Sequence, residues 1–92
     1  MTIRPGSRAA DLYRVPSADE NFYCNYGIEP GWVSRLEAGG LSVSGVGDGG
    51  EVRIAELPGH PFYVTTLFLP QARSTPSAPH PLLVGFANAA RA

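Results

Sequence analysis

The sequence predicts an α+β domain: a small, mostly antiparallel sheet of about four strands with two or three helices. Three observations predict it. Residues 41–46 and 51–57 alternate apolar with small or polar side chains on either side of Asp48-Gly49-Gly50, the pattern of a hairpin. Residues 62–69 are the most apolar run and end at Pro70, as a buried strand does. Capping residues at Ser7 and Pro30, and apolar spacing through 81–90, mark helices.

In chain order, Ser7 is a good N-cap for a short helix over 7–14, whose apolar side is Ala9, Ala10, Leu12 and Tyr13. Residues 21–28 read as a strand, because Phe22, Tyr23 and Tyr26 suit a half-buried extended segment. Pro30 opens a second helix where a missing N–H costs nothing, Trp32, Val33 and Leu36 form its stripe, and Gly39-Gly40 stops it. In the hairpin, Val52, Ile54 and Leu57 face one side, with Arg53 and Glu56 assigned to solvent. The 62–69 run is expected to be a central strand. Residues 72–81, with three prolines and two serines, read as a loop. The last helix, over 81–90, is expected to turn Leu82, Leu83, Phe86 and Ala90 to the core. Together these make one domain, residues 1–92, of one helix layer on one sheet.

Bulk composition narrows the function classes. A formal net charge of -1 argues against a nucleic-acid or anionic-membrane surface. No run approaches the roughly 20 apolar residues of a membrane span, and the first residues have no apolar signal core. A single cysteine, Cys24, leaves no internal disulfide. Together with the missing export signal it points to a reducing cytoplasm. His60 and His80 are too far from Cys24 and from each other in sequence for zinc spacing, so no metal and no cofactor is expected. All seven basic residues are arginine, read as the codon habit of a high-GC bacterium. A domain this short buries only roughly 60% of its unfolded surface, so a homo-oligomer or a partner chain is expected to complete the core.

The blocks Pro5-Gly6-Ser7, Ala9-Ala10, Tyr13, residues 20–28, Gly40-Leu41-Ser42-Val43-Ser44-Gly45, residues 52–56, His60-Pro61-Phe62-Tyr63-Val64, Phe68-Leu69-Pro70-Gln71, Ser74-Thr75-Pro76 and His80-Pro81-Leu82 with Gly85-Phe86 and Ala89-Ala90 carry a resemblance. In this order and spacing they are similar to the C-terminal half of a class I glutamine amidotransferase domain of the CTP synthase type, across nearly the whole chain. The resemblance implies half of that fold. In the family, the nucleophilic cysteine sits on an elbow in the first half, and Cys24 lacks the Gly-x-Cys-x-Gly surroundings of such an elbow. The family's Phe-His-Pro-Glu motif, general base and orienting carboxylate, is matched by Phe68-Leu69-Pro70-Gln71. Leu69 has no lone pair for a proton, and Gln71 has no charge to support an imidazolium. A general base contributes about 10²–10⁴-fold. The family's substrate-gripping arginine falls at Tyr23, which cannot form the bidentate pair. The Tyr23-Cys24-Asn25-Tyr26-Gly27 pattern also resembles a degenerate branch, the CTP synthase C-terminal region-related proteins, some of them selenoproteins.

Loss of glutaminase activity is therefore expected. The candidate ligand pocket is Phe22, Tyr23, Asn25, Tyr26, Leu69 and Gln71, whose aromatic wall suits an apolar small molecule; the same residues could instead fill the old cleft as core. Candidate chemistry rests on Glu20, Tyr23, Cys24 and His60. Cys24 is a reactive thiol or a small buried apolar group. Glu20 is an acid or base if buried beside aromatics, otherwise a solvated strand end. His60 and His80 are proton shuttles or structural. Two functions follow: a small-molecule-binding or protein-interaction module acting as a dimer, or a cofactor-independent cyclase- or isomerase-type enzyme of specialised metabolism in a re-lined cleft.

Overall fold

A computed structural model describes residues 1–20 and 30–91. Four antiparallel strands, β1 (Thr2–Ile3), β2 (Ser42–Val46), β3 (Val52–Glu56) and β4 (Val64–Thr66), form one sheet in the order β1-β2-β3-β4. Three helices accompany them: α1 (Arg8–Tyr13), α2 (Val33–Ala38) and α3 (Pro81–Arg91). Single 3₁₀ turns at Pro30–Trp32 and Pro70–Arg73 lead into α2 and out of β4.

The local signals explain these elements. Ser7 Oγ accepts from the Ala10 amide at 3.0 Å and donates to the Arg4 carbonyl at 2.7 Å, so one hydroxyl caps α1 and ties it to the chain before it. The β2–β3 hairpin turns through Gly47–Glu51, where Gly50 adopts φ +82°. β2 bulges around Ser44, and a Cβ at Gly45 would come within 2.7 Å of the Ile54 side chain, so only glycine lets the strands approach there.

Helices cover both faces of the sheet, not one. Ile54 and Ala55 are adjacent in β3 and so point to opposite sides. Ile54 joins Ile3, Ala9, Tyr13, Phe68 and Leu82 in a cluster with α1 and α3. Ala55 joins Val43 and Val52 in a second cluster, packed by Val33 and Leu36 of α2. Trp32 stays half exposed, its ring under the Arg35 guanidinium at 4.7 Å.

Three expectations are corrected. Arg53 and Glu56, assigned to solvent, are each only 6% exposed, because β3 lies inside the sheet with helices on both faces. Of the 62–69 run, strand is formed by Val64–Thr66, and among the described strands it is an edge. In α3 the buried positions are Leu82 and Gly85, while Leu83, Phe86 and Ala90 are exposed. The helix turns Gly85 toward α1, where a Cβ would lie 2.7 Å from the end of the Leu12 side chain. The strand β1 was not anticipated; two residues are too few to show a period. The expected strand at 21–28 lies outside the described residues.

Candidate functional site

Of the candidates that lie among the described residues, the structure brings Glu20 and His80 together in one buried polar cluster. α1 ends at Tyr13, and Arg14 takes a left-handed C-cap conformation (φ 61°) with its amide bonded to the Ala10 carbonyl. The chain then runs back beside β1, held by Ile3 N–H to the Pro16 carbonyl and Ala18 N–H to the Met1 carbonyl. This return sets Glu20 beneath the Tyr13 ring. The 3₁₀ turn after Pro70 supplies Arg73, and the residue before α3 supplies His80.

The Glu20 carboxylate is fully buried and accepts from three side chains. Arg73 approaches in bidentate fashion, Nε to Oε1 at 2.7 Å and a terminal nitrogen to Oε2 at 2.8 Å. His80 Nε2 lies 2.6 Å from Oε2, and the Tyr13 hydroxyl donates to the same oxygen. The backbone amide of Leu82 donates to His80 Nδ1 at 3.1 Å, so the ring proton on the other side, Nε2–H, faces the carboxylate. The Tyr13 ring meets His80 edge-on, centroids 5.4 Å apart, and Phe68 closes the other side.

Burial by itself would raise the Glu20 pKa. The Arg73 guanidinium, then the Tyr13 and His80 donors, outweigh it and hold the carboxyl below its ordinary range. Burial first, then the neighbouring Glu20, pushes the Tyr13 phenol above its ordinary value, so it remains a proton donor. A carboxylate saturated by three side chains is not a base for a substrate, and the burial that made Glu20 a candidate has produced an anchor instead.

Two pH limits follow. Glu20 is depressed in the folded state, so its contribution is present above the ordinary glutamate pKa of 4.5 and is lost as pH falls through the lower folded value. Tyr13 is raised, so its contribution is full below the ordinary phenol value of 10.0 and declines as pH rises beyond it. Thermal melts from pH 3 to 11 are expected to show both arms, and Tyr13→Phe to remove most of the alkaline one. An unchanged alkaline arm in that variant would refute the assignment.

The other candidates separate. His60 is exposed, accepts from the Phe62 amide through Nδ1 at 3.1 Å and lies edge-on to Tyr63. Leu69 is 47% exposed and Gln71 is exposed, at the end of β4 and in the turn that carries Arg73. Phe22, Tyr23, Cys24, Asn25 and Tyr26 lie outside the described residues. A cleft of about 220 Å³ borders Glu20, and among the described residues its rim holds the carboxylates Asp19, Asp48 and Glu51. Sequence reasoning missed Tyr13 and Arg73. The available signal was a histidine between two prolines, Pro79-His80-Pro81, which places a polar ring at a helix start.

Comparison with known proteins shows what the chain is similar to. The chain is 41% identical over 91 residues to CTP synthase of Methanosphaerula palustris, and 41% identical over 91 residues to that of Archaeoglobus fulgidus. These alignments cover 99% and 98% of this chain. The glutaminase domain of Trypanosoma brucei CTPS, solved with bound acivicin, superposes with a TM-score of 0.84 at 27% identity over 98% of the chain. The chain is homologous to part of the CTP synthase glutaminase domain. It spans 17% of the length of those two CTP synthases and 37% of the solved glutaminase domain. Among models of known protein families, none matches it. No described helix is long and apolar enough to cross a membrane.

Proposed function

We propose that this chain is a glutamine amidotransferase-like interaction module that does not hydrolyse glutamine. One observation carries the reading. At the two positions that the resemblance assigns to the general base and its orienting carboxylate, the chain presents Leu69, an exposed aliphatic side chain, and Gln71, an exposed neutral amide. Neither can take a proton from a nucleophile. The sequence has two histidines. His80 is buried against Glu20, and His60 holds the Phe62 amide. Glu20, with its acceptor sites filled, does not support the alternative of a cyclase or isomerase built on it.

The interaction part rests on apolar exposure. Leu67, Leu69, Leu83, Val84 and Phe86 are each between 38% and 59% exposed on a chain of 9.7 kDa. These side chains, on α3 and after β4, are the apolar surface a partner would cover.

Purified protein is expected to release no ammonia from L-glutamine above a protein-free control. Light scattering at micromolar concentration is expected to give about twice the 9.7 kDa of one chain. Measurable ammonia release sinks the first half of the reading; a strict monomer sinks the second.

A further inference from the structure

We propose that Tyr13, Arg73 and His80 form an internal carboxylate receptor whose ligand is the Glu20 side chain. Its consequence is mechanical: it fixes the chain at the point where residue 21 follows. The receptor is assembled from three places in the sequence. Tyr13 ends α1, Arg73 closes the turn after β4, and His80 opens α3, so its members lie 7, 53 and 60 residues from Glu20.

The argument turns on what orients each donor. The His80 ring is set by the Leu82 amide at Nδ1, and its own amide donates to Ser74 Oγ at 2.9 Å. The Tyr13 ring is held in the α1–α3 cluster and edge-on to His80. Neither arrangement uses the carboxylate. Two of the three donors are therefore aimed at the site by contacts that would survive without it, which is the preorganisation expected of a receptor. Arg73 is different. Its side chain is 36% exposed while those of Glu20 and His80 are at 0%, so it forms the solvent-facing wall. A small anion displacing Glu20 would enter past it.

A simple buried ion pair would need only opposite charges. Here the carboxylate receives a planar bidentate guanidinium at both oxygens and two further donors converging on Oε2. That geometry selects a carboxylate over a spherical anion. The three are positioning residues in this scheme. They act by holding the chain at Glu20, which precedes the sequence-predicted pocket residues Phe22, Tyr23, Asn25 and Tyr26 in sequence. The inference does not depend on whether glutamine is hydrolysed.

The experiment is chemical rescue. Glu20→Ala removes a group the size of acetate and is expected to lower Tm by more than about 10 °C, as breaking a buried charged pair does. Acetate is then expected to raise the variant's Tm saturably, by about 6–11 °C at ten times its dissociation constant, and to leave the wild-type Tm unchanged. Sodium chloride at equal ionic strength is expected to leave both Tm values unchanged. Equal effects of acetate and chloride, or no effect of either, overturn the receptor. Should Glu20→Ala fail to fold, the wild-type protein answers by nitrogen-15 NMR. A slowly exchanging Nε2–H and an unprotonated Nδ1 on His80 sustain the assignment; a proton on Nδ1 refutes it. Glu20→Gln, which keeps the shape and removes the charge, is expected to shift the amide resonances of residues 21–29, and unchanged resonances there overturn the positioning role.

Discussion

Glu56→Ala is expected to lower Tm by more than about 10 °C, from a loss of roughly 3 kcal/mol. Glu56 projects from β3 to the start of α1. Its Oε1 accepts from the Arg8 amide at 2.8 Å and its Oε2 from the Ala9 amide at 3.0 Å. With Ser7 Oγ on Ala10 and the Ser7 carbonyl on Asp11, every amide of the first turn of α1 has an acceptor. Alanine removes two charge-assisted bonds and strands two amides, one of them buried, where water does not easily replace the lost acceptor. Glutamine keeps one acceptor oxygen and is expected to retain about half of the effect. Differential scanning calorimetry with far-UV circular dichroism reads both variants. A Glu56→Ala protein melting within about 2 °C of wild type would show that the carboxylate contributes nothing beyond a solvated cap.

Gly85→Leu is expected to cost about 1–3 kcal/mol by overpacking, visible as a Tm lower by roughly 4–20 °C. A Cβ at Gly85 would lie 2.7 and 2.8 Å from the two methyl groups of Leu12 and 3.2 Å from the Phe62 ring. Alanine tests the same contact gently. Leu12 can rotate its methyls away, and alanine gains up to about 1 kcal/mol of helix propensity over glycine, so Gly85→Ala is expected to be near neutral. The contrast between the two variants separates a steric cause from a backbone one. A leucine variant as stable as wild type would mean that α1 and α3 are not held at this distance.

The reading of local structure from sequence succeeded where the determining groups are neighbours in the chain. Ser7 caps α1 through an amide three residues away, and Gly50 supplies the turn of the β2–β3 hairpin. The errors share a cause. Arg53 and Glu56 look like solvent residues by type, and Leu83 and Phe86 like core. Burial depends on which elements cover a face, and covering elements come from distant sequence. Glu56 is buried because α1, some 47 residues earlier, brings its amides to the carboxylate. Phe86 is 59% exposed because α3 turns Gly85, not Phe86, toward α1.

The candidate site divides the same way. That Leu69 and Gln71 stand where the resemblance places a histidine and a glutamate is readable from the sequence, since it needs only the identity of two side chains in a recognisable motif. The state of Glu20 is not. As a residue type it allows an acid, a base or a solvated strand end, and only the arrival of Arg73 and His80 makes it a saturated anchor.

By itself, then, the sequence determined the α+β class, the hairpin, the helix starts and the kinship to the CTP synthase glutaminase domain. These depend on dihedral preference, periodicity and residue identity, which act over a few positions. Tertiary structure alone decided which side chains are buried, which strand is an edge, and that Glu20 is held by Tyr13, Arg73 and His80. Those outcomes depend on contacts between segments up to 60 residues apart, whose free energy exists only once the chain has closed on itself.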